Sequence, residues 1–211
     1  MKLKISTALL LALCIAGAAP ARAASTQRVV LAGGCFWGMQ LVFESLKGVD
    51  RAVAGYAGGN AGSAQYESVS TGTTGHAESV EVTYDPAKIS FKQLLDVYFL
   101  VAHDPTQLNR QGPDVGSQYR SEIFYTSAQQ QTEALSYIAH LQQERAFPSK
   151  IVTVVAPLRG FYPAEAYHQD YAVHNPQNPY IVYNDLPKLQ KLRQKYPQLV
   201  KPNAPFASGG S

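Results

Sequence analysis

The chain has 211 residues, of which 18 are basic and 15 acidic, giving a formal net charge of +3. Three of the basic residues, Lys2, Lys4 and Arg22, lie among the first 23 residues, which contain no acidic side chain. Without that segment the charges balance, so electrostatics give no reason to expect nucleic acid or an anionic membrane as a partner. The remaining length suits one domain with a sizeable core.

The first 23 residues have the layout of a secretory signal peptide. Lys2 and Lys4 precede an apolar run, and the small-x-small triplet Ala21-Arg22-Ala23 follows it. The run is too short and wrongly flanked for a membrane-spanning helix, which takes about 20 apolar residues. We therefore expect cleavage after Ala23, a periplasmic or secreted protein, and no membrane attachment after cleavage.

Cleavage would leave a single cysteine. The sequence contains two, Cys14 and Cys35, and Cys14 lies within the apolar run. A lipid anchor at Cys14 is the alternative, but Leu13 is larger than the small residue that such a site needs. Secreted proteins usually pair their cysteines, so an unpaired Cys35 is either a reactive thiol or a buried inert one. The cysteine count alone does not decide between the two.

Hydrophobic periodicity and turn residues predict alternating strands and helices along the chain. Strands are predicted at residues 28–34, 51–59, 79–86, 121–126 and 151–158, and helices at residues 36–48, 90–102 and 127–145. Ser90 with Gln93 has the pattern of a capping box, and Ser127 with Gln130 caps the next helix. Two shorter helical segments follow, near residues 164–173 and 188–195.

The order strand, helix, strand, strand, helix, strand is that of the split βαβ unit of ferredoxin-like folds. We expect an α+β fold in which helices pack on a mixed sheet and long loops carry the chemistry. The segment from His103 to Arg120 is too polar and turn-rich for an element of its own, and loops of this length are usually functional. We assign residues 24–200 to one domain and residues 201–211 to a flexible tail, and expect a monomer.

The remaining cysteine lies between a predicted strand and a predicted helix, in AGGCFWGMQ (residues 32–40). If the helix begins near Phe36, Cys35 lies at its N-terminal end, where free backbone N–H groups and the helix dipole favour thiolate over thiol. Gly33 and Gly34 let the backbone turn sharply and leave the sulfur uncovered. These features favour a nucleophile with a lowered pKa over an inert packing residue.

Four polar candidates lie in turns or where a strand begins. Glu78 starts a predicted strand after a glycine-bearing turn, where a glutamate is normally a solvated surface charge. A semi-apolar pocket would instead raise its pKa and let it donate a proton, and the sequence does not choose between these environments. Tyr66, Tyr119 and Asp114 lie in loop-like segments. Phenol groups in loops can donate hydrogen bonds into a cleft, although most tyrosines do not.

Two other groups of side chains carry less information. Phe36 and Trp37 follow the cysteine, and an aromatic wall suits a small apolar group such as a methyl, but aromatic residues at such positions most often belong to the core. The histidines are scattered rather than clustered as a metal site requires, so we interpret them as structural and expect no metal. They are His76, His103, His140, His168 and His174.

Five blocks of the sequence, in chain order, resemble the A-type peptide methionine sulfoxide reductases. They are GCFWG (residues 34–38), GYAGG (55–59), TGHAESVEVTYDP (74–86), HDPTQLNRQGPDVGSQYRSEIFY (103–125) and FYPAEAYHQDY (161–171). The resemblance covers roughly residues 29–183, most of the chain after the predicted leader. It implies reduction of methionine S-sulfoxide and with it the repair of oxidised proteins, which the predicted signal peptide would locate in the cell envelope.

The resemblance also implies a role for each candidate residue. Cys35 attacks the sulfoxide, Glu78 protonates its oxygen, Tyr66 and Tyr119 hydrogen-bond that oxygen, Asp114 organises the site, and Phe36 and Trp37 cradle the methyl group. A sulfoxide sulfur is a poor electrophile until its oxygen is protonated or hydrogen-bonded, so a thiol nucleophile needs an acid within reach. Attack would leave the thioether and a cysteine sulfenic acid.

The sequence departs from many relatives in having no cysteine in its C-terminal region. Relatives often carry one or two there, which form a disulfide with the catalytic cysteine. Their absence predicts a single-cysteine form that needs no cofactor beyond an external thiol, such as a small thiol or a thioredoxin-family protein, to reduce Cys35 directly.

Three other classes of protein fit the sequence less well. A one-cysteine thiol peroxidase also needs a lone reactive thiol, but would normally have a nearby arginine, and none adjoins GCFWG. A thioredoxin-like oxidoreductase would need Cys-x-x-Cys, which is absent. A non-catalytic peptide-binding module could use the 13 tyrosines but leaves the glycine-flanked thiol unexplained.

Overall fold

The structure, a computed structural model, describes residues 26–206. The predicted signal peptide, with Cys14, and residues 207–211 of the predicted tail lie outside the described residues. Within residues 26–206, no helix is both long enough and apolar enough to cross a membrane.

A six-stranded sheet forms the centre of the fold. Residues 26–206 contain the following strands, and all except β4 and β5 belong to this sheet: β1 (Gln27–Gly33), β2 (Val49–Ala57), β3 (Ala77–Tyr84), β4 (Arg110–Gln111), β5 (Asp114–Val115), β6 (Ser121–Tyr125), β7 (Val154–Pro157) and β8 (Phe161–Pro163). The sheet order is β7-β6-β1-β3-β2-β8, and β4 and β5 pair as a separate small hairpin. All neighbours in the large sheet are antiparallel except β6 and β7. The central order β6-β1-β3-β2 confirms the predicted split βαβ core, and the parallel β7 makes the sheet mixed.

The helices are α1 (Phe36–Glu44), α2 (Tyr66–Val69), α3 (Phe91–Val97), α4 (Ala128–Gln143), α5 (Tyr171–His174) and α6 (Leu186–Lys195). The capping box predicted at the start of α3 is present: the Ser90 hydroxyl accepts from the Gln93 backbone N–H, and the Gln93 side chain accepts from Ser90. Ser127 caps α4 by accepting from the Gln130 backbone N–H at 3.2 Å. Both helix starts are thus confirmed at the predicted residues.

Alternation along the strands decides which side chains face the helices. On β1, Leu31 belongs to the large core and Val30 to a smaller apolar cluster on the opposite face. On β3, Val80 and Val82 belong to the large core, so Glu78, at the same parity, lies on that face too. The carboxyl group of Glu78 therefore points from the sheet toward the helix layer.

The structure corrects the prediction that residues 103–120 contain no element. They form the β4–β5 hairpin and a 3₁₀ turn at Ser117–Tyr119. Side-chain amides bond to the backbone here, in addition to the short strand pairing. The Gln111 side chain pairs with the backbone N–H and C=O of Asp104, and the Gln107 side chain accepts from the Gly112 N–H at 2.8 Å. Strands of two residues leave no periodicity in a sequence.

The predicted helix near residues 164–173 is also wrong. It is broken into a 3₁₀ turn (Ala166–His168) and α5, with Asp170 between them at φ 54°. Tertiary hydrogen bonds hold this break, because the Asp170 N–H donates to Gln40 and the Gln169 amide pairs with the backbone of Ala54. The predicted strand at residues 151–158 shortens to β7.

Part of the predicted tail lies in the described region and contacts the domain. The Lys201 N–H donates to the Ser45 carbonyl at 2.8 Å, and Arg193 donates to the carbonyls of Pro205 and Phe206. Ala204 is buried. Residues 201–206 therefore pack beside the ends of α1 and α6.

Candidate active site

Cys35 is the N-cap residue of α1 and is nearly buried, with 7% of its surface exposed. β1 ends at Gly33, two residues before Cys35, and the intervening Gly34 has a φ of +94°. A Cβ at Gly34 would also lie 2.5 Å from the Gln111 side chain, so both conformation and space require glycine. The predicted sharp turn is present, but it leaves the sulfur largely covered.

The expected lowering of the Cys35 pKa is wrong. Burial raises the pKa of the thiol well above its usual value. The negative charge that Glu78 acquires at alkaline pH and the charge of Asp185 raise it further. The Trp37 backbone N–H, the helix-terminus effect that the sequence predicted, acts in the opposite direction, as does Lys188. Desolvation outweighs both, so Cys35 is a neutral thiol at pH 7.

Glu78 lies at the start of β3, is 3% exposed, and reaches the first turn of α1. One of its carboxyl oxygens accepts from the Phe36 backbone N–H at 3.0 Å. Burial raises its pKa to about 8, despite the opposing effect of that N–H. Of the two environments that the sequence left open, the structure has the buried one, in which Glu78 carries a proton at neutral pH.

Tyr66 on α2, Tyr119 in the 3₁₀ turn and Asp114 on β5 lie close enough to Cys35 and Glu78 for charge on one group to affect another. Burial raises the pKa of both phenols, and negative charge on Glu78 and Cys35, once these two groups ionise at higher pH, raises it further. The Asp114 carboxyl accepts a hydrogen bond from the Tyr180 hydroxyl, and partial burial raises its pKa. The two phenols are therefore neutral and can donate hydrogen bonds beside Cys35 and Glu78.

Phe36 and Trp37 form an aromatic wall next to Cys35. The Trp37 ring stacks on Tyr171 at 3.9 Å and 14°, and meets Tyr180 edge-on at 5.8 Å. Its Nε1–H donates to His168 Nδ1 at 3.2 Å, and Phe36 packs 5.0 Å from the same imidazole. The two rings are thus packed against their neighbours from two sides. Phe36 is 1% exposed, so the partly buried Trp37 supplies the accessible part of this apolar wall.

A model of the family described as "Peptide methionine sulfoxide reductase" matches residues 27–200, which include every residue of this pocket. The chain belongs to that family. It is 56% identical over 177 residues to "Peptide methionine sulfoxide reductase MsrA 2" of Mesorhizobium japonicum, covering 84% of this chain and 91% of that protein. It is 50% identical over 179 residues to a protein of the same description from Synechocystis, covering 85% and 84%.

Solved structures show the same fold. The reduced form of Mxr1 from Saccharomyces cerevisiae matches with a TM-score of 0.68 at 36% identity, over 72% of this chain and 87% of that one. Methionine sulfoxide reductase A of Corynebacterium diphtheriae matches with a TM-score of 0.67 at 36% identity, over 72% of this chain and 76% of that one. The chain is therefore an A-type peptide methionine sulfoxide reductase, an oxidoreductase that acts on methionine sulfoxide.

The structure adds residues to the reductase pocket that the sequence analysis did not single out. Tyr180 and Tyr171 complete the aromatic wall, and Asp185 with Lys188 bears on the charge of Cys35. His168, interpreted as structural, holds Trp37. Tyr171 and His168 lie within FYPAEAYHQDY, which was a signal that could have found them. The other three lie beyond the five blocks and only tertiary packing reveals them.

Proposed function

We propose that Cys35 of this reductase attacks the sulfur of methionine S-sulfoxide, in proteins or free, and becomes a sulfenic acid that an external thiol reduces. One arrangement supports the proposal most directly. Cys35 caps α1, and the next residue along the chain donates its backbone N–H to Glu78, whose pKa of about 8 keeps a proton available at neutral pH. The nucleophile and an acid thus meet at one helix terminus.

The surrounding groups fit the other parts of the sulfoxide. Tyr66 and Tyr119 are neutral donors beside Glu78, suited to hydrogen-bond the oxygen, with Asp114 organising that side of the pocket through Tyr180. The wall of Phe36 and Trp37 suits the methyl group.

The first step balances without any cofactor. The Cys35 thiol and the sulfoxide become a sulfenic acid and a thioether: oxygen moves from the methionine sulfur to the cysteine sulfur, which is oxidised by two electrons as methionine is reduced. Glu78 donates its proton to the sulfoxide oxygen and takes up the proton that leaves Cys35, so the S–OH group ends with one proton and Glu78 is protonated again. Two external thiols then restore Cys35, giving one disulfide and one water.

Recycling by an external thiol follows from the cysteine content. Cys35 is the sole cysteine of residues 26–206, and it is a free thiol. Reductant therefore has to reach Cys35 itself, as a small thiol or through a mixed disulfide with a thioredoxin-family protein. The signal-peptide pattern of the first 23 residues supports the cell envelope as the proposed setting for this repair of oxidised proteins.

Trapping the oxidised enzyme tests the single-cysteine mechanism. We expect one equivalent of methionine sulfoxide, given to reduced enzyme without added thiol, to yield a dimedone adduct on Cys35 by mass spectrometry. Enzyme without substrate is the control and should give no adduct, and turnover should need dithiothreitol or glutathione. A disulfide between Cys14 and Cys35 in protein purified from the periplasm would contradict the mechanism, since it would show a retained leader and an internal resolving thiol.

Stereochemistry provides a second test. A pocket that holds the methyl group against Phe36 and Trp37, and the oxygen against Glu78 and the tyrosines, accepts one arrangement around the chiral sulfur. We expect a blocked methionine S-sulfoxide to be reduced and the R epimer to be left, when both are followed by chiral chromatography with dithiothreitol as reductant. Equal rates on both epimers would contradict this arrangement of the pocket.

A further inference from the structure

A buried ion pair lies against the helix that carries Cys35. Asp185, at the end of the π-helical segment Ile181–Asp185, is fully buried, and its Oδ1 is 3.1 Å from Lys188 Nζ on the first turn of α6. The Lys188 side chain is only 16% exposed. The pair is therefore shielded from solvent, where charges act on their neighbours much more strongly than at a surface.

Gly38 shows where the pair sits. A Cβ at Gly38 would fall 2.0 Å from Asp185 Oδ1 and 2.9 Å from Lys188 Nζ. Both charged groups therefore pack against the backbone of α1 at Gly38, in the space that a side chain would occupy. Gly38 is three residues after Cys35, about one helical turn along α1. The pair thus docks on the turn that presents the thiol.

The buried Asp185–Lys188 pair lowers the stability of the fold, because one carboxylate oxygen is unsatisfied. Asp185 Oδ2 is buried and has no hydrogen-bond partner among residues 26–206. A buried carboxylate with an unsatisfied oxygen destabilises a fold, and apolar side chains of similar volume often replace such pairs without loss of stability. Irregular π-helical turns, such as the one that delivers Asp185, are frequent at functional sites.

We infer that Asp185 and Lys188 are positioning residues that set the charge of the Cys35 sulfur, the carboxylate holding it as a thiol and the ammonium opposing the carboxylate. The inference deepens the proposed function, since it rests on Cys35 as the nucleophile.

The other groups around Cys35 do not supply the opposing charge. Glu78 faces it from β3 and carries a proton or a negative charge, and the surrounding phenols are neutral. Those phenols belong to Tyr66, Tyr119 and Tyr180. The Asp114 carboxyl accepts the hydrogen bond of the Tyr180 hydroxyl. Among residues 26–206, Lys188 is the cation that lowers the pKa of Cys35, and Asp185 is the carboxylate beside it that raises it.

The pH dependence of Cys35 alkylation tests the inference without requiring turnover. The rate of iodoacetamide modification of the Cys35 peptide, followed by mass spectrometry, reports the thiolate fraction. We expect Asp185→Asn to lower the apparent pKa of Cys35 and Lys188→Met to raise it, each changing the rate about tenfold at a fixed pH below that pKa. Lys188→Arg, which keeps the cation, should behave like the unaltered enzyme.

The double variant Asp185→Asn/Lys188→Met is the matched control, because it removes both charges and nearly keeps both shapes. It should return the pKa close to its original value, and it avoids the unpaired buried carboxylate that Lys188→Met leaves. Shifts of the same sign in both single variants, or no shift in Asp185→Asn, would overturn the inference and assign the pair a structural role. Failure of Cys35 as nucleophile would appear elsewhere, as turnover by Cys35→Ser.

Discussion

Cys35→Ser will fold normally and reduce no methionine sulfoxide. A serine hydroxyl is close to a thiol in size but is far too weak a nucleophile at neutral pH, and it cannot form a sulfenic acid. Because Cys35 is largely covered and makes no side-chain cap hydrogen bond, the substitution leaves the start of α1 unchanged. Turnover should be followed by the methionine released from a methionine sulfoxide peptide in the presence of dithiothreitol.

The control for this variant is its thermal unfolding midpoint, which should stay close to that of the unaltered enzyme. Methionine release above the rate of dithiothreitol alone would contradict the role of Cys35 and would require another nucleophile. Loss of activity with a collapsed unfolding midpoint would instead indicate a misfolded variant, and Cys35→Ala would then repeat the test.

Glu78→Gln will lower turnover by about 10² to 10⁴-fold, the usual worth of general acid catalysis. The amide preserves the shape and can still accept from the Phe36 N–H at the position that the carboxyl oxygen occupies. It has no proton to give to the sulfoxide oxygen. The matched control is Glu81→Gln on the same strand, which removes only a surface ion pair with Arg28 and should keep full activity.

The pH profile separates the acid role from a structural one. The pKa of Glu78 is raised to about 8, so its proton is present below that pH and is lost as the pH rises through it. Turnover by the unaltered enzyme should therefore decline above about pH 8, and this limb should vanish in Glu78→Gln. Near-normal turnover of the variant at neutral pH would contradict the acid role.

The elements with strong local signals could be predicted from the sequence. The capping residues Ser90 and Ser127 mark helix starts because their side chains bond within three residues, and the central strand order follows from the sequence of elements. The β4–β5 hairpin and the break at Asp170 could not be predicted, since side-chain amides from Gln111 and Gln40 hold them through contacts that leave no periodic pattern.

The site divides in the same way. The glycines before Cys35 indicated a helix terminus. The direction of the Cys35 pKa shift, however, depends on burial, on Glu78, which is 42 residues after Phe36, and on Asp185 near the end of the domain. A local pattern reports the N–H groups that favour a thiolate; it does not report the desolvation and the carboxyls that outweigh them. The aromatic partners of Trp37 likewise come from α5 and the segment after it.

Because the buried Cys35 thiol is neutral, we expect it to resist oxidation in the cell envelope, where the enzyme is proposed to work. Hydrogen peroxide and hypochlorous acid oxidise thiolates far faster than thiols, so a Cys35 held protonated and covered between turnovers presents little reactive sulfur to them. An enzyme that repairs oxidative damage would thereby be protected from suffering the same damage, and irreversible loss as sulfinic acid would be confined to the brief interval after each catalytic event.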